Sequence, residues 1–127
     1  MQVDLAPGWK TSLEHGPNWL FVKLHGPFGP TADASGIADS IALMMNQDLV
    51  DRIVLELDDL IRMPSDFIRE LFDLRERVDR QGGVLRLCGL CDEHRDALEA
   101  RDFSRRFVPF RTREEAVSGF YRPNKPR

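Results

Sequence analysis

The hydrophobic pattern changes period in the middle of one stretch, Arg52 to Val78. Ile53, Val54, Leu55 and Leu57 make an apolar run of strand length, whereas Phe67, Ile68, Leu71, Phe72 and Val78, with Arg75 among them, recur at helical spacing. Between the two lies Arg62-Met63-Pro64-Ser65-Asp66, so Ser65 stands where a strand feeds the first turn of a helix. Ligands and partners of open α/β sheets favour the carboxyl ends of strands, which makes Ser65 the first functional candidate.

The rest of the chain reads outward from this unit. Residues 1–8, ending in the Pro7-Gly8 breaker, are expected to be a flexible terminus. Trp9 to Glu14 alternates apolar and polar residues, predicting a strand with one wet face at a sheet edge. Gly16-Pro17-Asn18 turns the chain into an antiparallel return, Trp19 to Leu24, which is apolar enough to be covered on both faces. After the breaker-rich loop Gly26-Pro27-Phe28-Gly29-Pro30, Thr31 or Asp33 is the expected cap of a helix marked by Ile37, Ile41, Met44 and Met45 and ending near Gln47. Gln81-Gly82-Gly83 stops the helix that follows Ser65, and Val84 to Cys88 makes a further strand. Asp92-Glu93 opens a third helix running to about Arg101. Phe107 to Phe110 is a short strand that Pro109 assigns to an edge, and Thr112-Arg113-Glu114-Glu115 is a capping box for a last helix with Ala116, Val117 and Phe120 inward. The order β β α β α β α β α predicts an α/β fold with a mixed, mostly parallel sheet of about five strands and about four helices, spanning residues 9–121. Residues 122–127 form a basic tail expected to be disordered.

Composition narrows the functional classes. A 127-residue chain is one domain long, and its net charge of −3 with 31% charged residues gives no overall basic signal for nucleic acid. No apolar run reaches the roughly 20 residues of a membrane span, and no secretion signal is present, so a cytoplasmic location is expected. Two cysteines, Cys88 and Cys91, are too few for a disulfide framework. Cys88-Gly89-Leu90-Cys91 followed by His94 admits a redox or metal reading, but Cys88 belongs to an apolar strand and no second ligand pair exists, so neither metal nor cofactor is expected. Arginines 101, 105, 106, 111 and 113 are the one basic cluster and read as a solvated face paired with Asp102, Glu114 and Glu115. His15, His25 and His94 are scattered, with no serine or cysteine arrangement in sequence that specifies hydrolysis, and no nucleotide loop is present. The chain reads as non-enzymatic.

The stretches WLFVKLHG, IVLELDDLIRMPSDFIREL and GGVLRLCGLCDEHRDALEARDFSRRFVPFRTREEAV, in this order and spacing, resemble a STAS domain, the fold of bacterial anti-sigma-factor antagonists. The resemblance runs from about Trp9 to Phe120. It implies a STAS-like fold and a module of transcription regulation that binds an anti-sigma factor, itself a serine kinase, which phosphorylates a serine in the strand-to-helix loop. That loop reads approximately Asp-Ser-Ser-Gly-Leu in the family; here the positions carry Pro64, Ser65, Asp66, Phe67 and Ile68, which makes Ser65 the phosphorylation candidate. A second departure is Gly26-Pro27-Phe28-Gly29 where the family usually has Gly-x-Leu-Asp. The implied partner-binding group is Phe28, Met63, Pro64, Ser65, Asp66, Phe67 and Ile68, and a homodimer is compatible with it.

Two readings of Ser65 stand beside each other. As a switch, a phosphate there would meet the amides and positive dipole of a helix start and add about −1.5 to −2 charges. As structure, Ser65 caps the helix, worth about 1 kcal/mol, or Pro64 is the first helical residue and Ser65 lies within the first turn. Asp66 already places a negative charge beside it, and Phe67 obstructs a partner if its ring points outward. The alternative to a switched antagonist is an accessory STAS protein, a transporter subunit or signalling scaffold, in which Ser65 is unmodified.

Overall fold

The computed structural model describes residues 2–99 and 109–118. Its single sheet has six strands in sequential order: β1 (Gln2–Ala6), β2 (Trp9–Gly16), β3 (Trp19–His25), β4 (Arg52–Glu56), β5 (Val84–Cys88) and β6 (Pro109–Phe110). The first three strands pair antiparallel and the last three join β3 in parallel. Four helices are described: α1 (Ile37–Gln47), α2 (Ser65–Arg80), α3 (Asp92–Glu99) and α4 (Arg113–Ser118). This is the expected mostly parallel α/β arrangement, enlarged by one strand.

The added strand corrects the reading of the N-terminus. Residues 2–6 are not loose but pair with β2, and Pro7-Gly8 is the hairpin turn between them, with Gly8 at φ 78°. Only glycine fits there, since a Cβ on Gly8 would fall 2.5 Å from the Phe28 carbonyl oxygen. Consequently β2 is an inner strand. Its alternation is genuine, with Trp9 and Thr11 buried and Lys10 and Glu14 exposed, but the edge lies one strand further out. Pro109 does occupy the opposite edge. Phe107, Val108, Phe120, the end of the third helix near Arg101 and residues 122–127 lie outside the described residues.

Strand periodicity sorts the core onto two faces. Leu20, Val22 and Leu24 of β3, Ile53 and Leu55 of β4, and Leu85 and Leu87 of β5 pack against Ile37, Ile41 and Met45 of α1 and Leu71, Leu74 and Val78 of α2. Each such side chain, removed from water, contributes about 1.5–3 kcal/mol before entropy is counted. The second face is smaller: Trp19, Phe21, Val54, Cys88 and Phe110 surround Ala116 of α4. Arg86 rises from this face over Trp19, 5.4 Å from the ring centre, and donates at 2.6 Å to the Ala116 carbonyl, closing the end of α4. Thr112 caps the start of α4 by accepting the Glu115 amide at 3.1 Å, and the Glu115 carboxylate accepts the amide of Arg111, one residue earlier than in the standard reciprocal box.

Candidate functional site

Three loops meet beyond the carboxyl ends of β3 and β4. The chain leaving β3 bridges to Leu60 at Gly26, whose carbonyl accepts the Ile61 amide at 2.7 Å. Phe28 donates its amide to the Gly8 carbonyl and Asp33 to that of Pro7, both at 2.8 Å, so the β1–β2 turn underpins the long loop before α1. Gly26 has φ 134°, and a Cβ on it would lie 2.6 Å from the Gly8 carbonyl oxygen. The close approach of these two backbones therefore requires both glycines.

Pro64 holds an extended conformation, φ −72° and ψ 159°, and is the residue that precedes α2. Ser65 is the first helical residue and is exposed. Ser65 is therefore not the cap and Pro64 is not within the helix, although Ser65 does lie in the first turn, as the second structural reading expected. Asp66 performs the capping chemistry instead. One carboxylate oxygen accepts the Phe67 amide at 2.8 Å and the other accepts the Ala34 amide at 3.0 Å. One turn later the Glu70 carboxylate accepts the Ala38 amide at 2.8 Å. Hence α1, preceded by Gly36 at φ 93° with no side-chain cap, has its Ala38 amide satisfied by Glu70 of α2, while Asp66 ties down the loop just before it. Neither Thr31 nor Asp33 caps it; Asp33 accepts the Ser35 amide at 2.9 Å, a bond that lowers its pKa.

The predicted partner-facing group divides sharply by exposure. Phe67 is fully buried and stacks on Trp9, with ring centres 4.7 Å apart and planes at 13°. Ile68 is buried beside it. Both are core residues and cannot touch a partner, and the Phe67 ring, turned inward, leaves the approach to Ser65 clear. Met63, Pro64 and Asp66 are half-buried, while Phe28 is 46% exposed. Ile61, which sequence reasoning passed over, is 58% exposed in the same loop cluster. Its amide is held by the Gly26 carbonyl, a long-range contact that local pattern does not reveal. Arg69 is likewise exposed and stands four residues after Ser65, on the same side of α2.

The other chemical candidates resolve differently. Cys88 and Cys91 are both free, the first buried and the second exposed. Burial, aided by Glu56 and Asp58, pushes the Cys88 thiol up to about 12, so it is protonated and unreactive at neutral pH. His94 is buried. Among the described residues no group of His, Cys, Asp and Glu could hold a metal ion.

Arg101, Arg105, Arg106 and Asp102 lie outside the described residues, and Arg113 is not part of a solvated basic face. Its guanidinium lies 4.2 Å over the Phe21 ring, donates at 2.6 and 3.1 Å to the buried Glu56 carboxylate, and reaches Glu14 at 2.9 Å. Its hydrogen bond and charge hold the Glu14 carboxyl below the usual range. Finally, His25 is not isolated. Its Nε2 lies 2.8 Å from Ser12 Oγ and its Nδ1 3.0 Å from the Asp59 carboxylate.

The fold has counterparts among known proteins. The model of the STAS domain family matches residues 10–116, and the chain belongs to this family. Among solved structures, it is similar to an anti-sigma factor antagonist from Mycobacterium paratuberculosis, at 14% identity and TM-score 0.73 over 92% of this chain and 97% of that one. It is also similar to the anti-sigma factor antagonist SpoIIAA in its unphosphorylated form, at 18% identity and TM-score 0.69 over 86% and 94%. The Bacillus cell fate determinant SpoIIAA in the phosphorylated form matches at 18% identity and TM-score 0.63 over 86% and 97%. At these identities the likeness shows a shared fold. A comparison with curated proteins found no match. No helix among the described residues is long and apolar enough to cross a membrane.

Proposed function

We propose that this STAS domain is a non-enzymatic regulatory binding module of the anti-sigma-factor-antagonist type. It captures an anti-sigma factor that is a serine kinase, through Phe28, Ile61, Met63 and Pro64 around Ser65, and phosphorylation of Ser65 releases it. The observation that carries this reading is the exposure of Ser65 at the first position of α2, with Phe28 and Ile61 exposed on the loops after β3 and β4 and the bulky Phe67 turned into the core. The likeness to SpoIIAA in its unphosphorylated and phosphorylated forms supports the same reading.

A phosphate on Ser65 would add about −1.5 to −2 charges to this surface, one helical turn from Arg69. If the added charge disfavours the complex by about 3 kcal/mol, affinity falls roughly a hundredfold, enough to switch partners at cellular concentrations. Both oxygens of Asp66 are engaged by backbone amides of this chain, so a phosphate on Ser65 adds charge to the surface without displacing a contact that Asp66 makes there.

The test is capture of partners from native cells with the wild-type chain, Ser65→Ala and Ser65→Asp, alongside incubation with the captured kinase and ATP followed by mass spectrometry. The expected result is a phosphate on Ser65 and one partner lost only with Ser65→Asp. Binding indifferent to both substitutions, with no phosphate beside a working kinase control, sinks the switch and favours an accessory scaffold or transporter subunit.

A further inference from the structure

We propose that Ser12, His25 and Asp59 form a nucleophilic relay on the sheet face opposite α1 and α2, through which Ser12 accepts an acyl group from an activated carboxylic ester. The three residues come from β2, the end of β3 and the loop after β4. The β2–β3 register sets Ser12 opposite Lys23 and His25 opposite Lys10, so Ser12 and His25 are diagonal neighbours on one face. Ser12 Oγ lies 2.8 Å from His25 Nε2, and Nδ1 of the same ring lies 3.0 Å from Asp59 Oδ2.

The order of these contacts fixes the direction of the relay. An ionised carboxylate only accepts hydrogen bonds, so Nδ1 carries the proton that it receives. In the neutral imidazole Nε2 is then the bare nitrogen, and the Ser12 hydroxyl donates to it. That is the arrangement in which a histidine, oriented by a carboxylate, acts as general base for an alcohol. Access is adequate for a small ester: the His25 side chain is 19% exposed, Asp59 is 47% exposed and Ser12 is half-buried. Lys10, exposed, and Lys23, whose Nζ is 3.2 Å from Asp58, stand on the same sheet face.

In the step proposed, Ser12 Oγ forms a bond to the ester carbonyl carbon while its proton moves to His25 Nε2. The tetrahedral adduct collapses, the carbon–oxygen bond to the alcohol breaks, and the leaving oxygen takes the proton back from Nε2. The products are O-acyl-Ser12 and the free alcohol, with imidazole and carboxylate returned to their starting states. No redox partner, metal or nucleotide enters.

The probe is p-nitrophenyl acetate with the purified full chain, followed by p-nitrophenolate release, intact mass and peptide mapping. The expected result is one acetyl group per chain, on Ser12. Ser12→Ala removes this acetylation, and His25→Ala slows it by about a hundredfold or more, the usual scale of general-base assistance, with partial rescue by added imidazole. Circular dichroism reports whether each variant folds. Should His25→Ala unfold, Asp59→Asn, an exposed change that spoils the tautomer, takes its place and should slow acetylation by at least about tenfold. Acetyl groups on lysines alone, or a Ser12 rate untouched by a folded His25 or Asp59 variant, overturn the proposal and leave the three residues as a cross-strand hydrogen-bonded ladder. The assay contains neither partner nor ATP, so its failure leaves the partner-binding reading standing, and the reverse also holds.

Discussion

Replacing Asp66 by alanine removes the carboxylate that joins the start of α2 to the loop leading into α1. In the folded chain it accepts two backbone amides, those of Phe67 at 2.8 Å and Ala34 at 3.0 Å. Hydrogen bonds to a charged acceptor contribute about 1.5–3 kcal/mol when well shielded, and a helix cap about 1 kcal/mol. Asp66 is half-buried, so solvent discounts the upper end. The expected cost of Asp66→Ala is therefore about 2 kcal/mol, which for a chain of this size lowers the melting temperature by roughly 5–10 °C. Asp66→Asn keeps one acceptor oxygen and should lose about half as much, by the same cap scale. Urea unfolding should show a lower midpoint at unchanged slope. Ser65→Asp is the control: it adds a carboxylate one residue earlier, and the helix dipole makes this neutral or stabilising by about 0.3–1 kcal/mol. An Asp66→Ala protein within about 0.5 kcal/mol of wild type, the range of an ordinary surface substitution, would refute the assignment of Asp66 as the joint between the helices.

Two further outcomes follow from the second face. Arg113→Ala strands the Glu56 carboxylate, which is only 10% exposed, and should cost about 2–4 kcal/mol in urea unfolding, with partial recovery when Glu56→Gln is added; a loss no larger in the single than in the double variant would contradict the pairing. Because burial raises the Cys88 thiol from 9.0 to about 12, the folded state holds a proton that the unfolded state releases, so this contribution is whole below pH about 9 and is lost as pH rises toward about 12. Alkaline titration of stability should therefore flatten in Cys88→Ala, and iodoacetamide should label Cys91 in the native chain and Cys88 only after unfolding; equal labelling of both would oppose it.

The division between what local pattern reveals and what it hides is visible at single residues. Trp9 to Glu14 was legible as a strand because alternation is a local property, yet its rank in the sheet was not, and the strand runs on to Gly16. Gln2 to Ala6 has only five residues, and the Pro7-Gly8 pair after them reads equally as a breaker or as a hairpin turn. The helix after Ser65 was legible from its apolar spacing, and its family from the order of the three quoted stretches. The direction of the Phe67 ring was not, since a phenylalanine at a helix start faces inward only because Trp9, 58 positions earlier in the chain, offers a stacking surface there.

The sequence by itself determined the periodicities, the turn residues and therefore the α/β order of elements, all of which depend on near neighbours. It also placed Ser65 at the mouth of a helix beyond a strand, which is a matter of adjacency. Only the tertiary structure decided that Asp66 is a joint rather than a second charge, that Arg113 belongs to Glu56 and Glu14, and that Ser12, His25 and Asp59 stand in one line. Each of these joins residues that strand register and helix packing bring within 3 Å or so across long stretches of chain, and no local pattern encodes a distance of that kind.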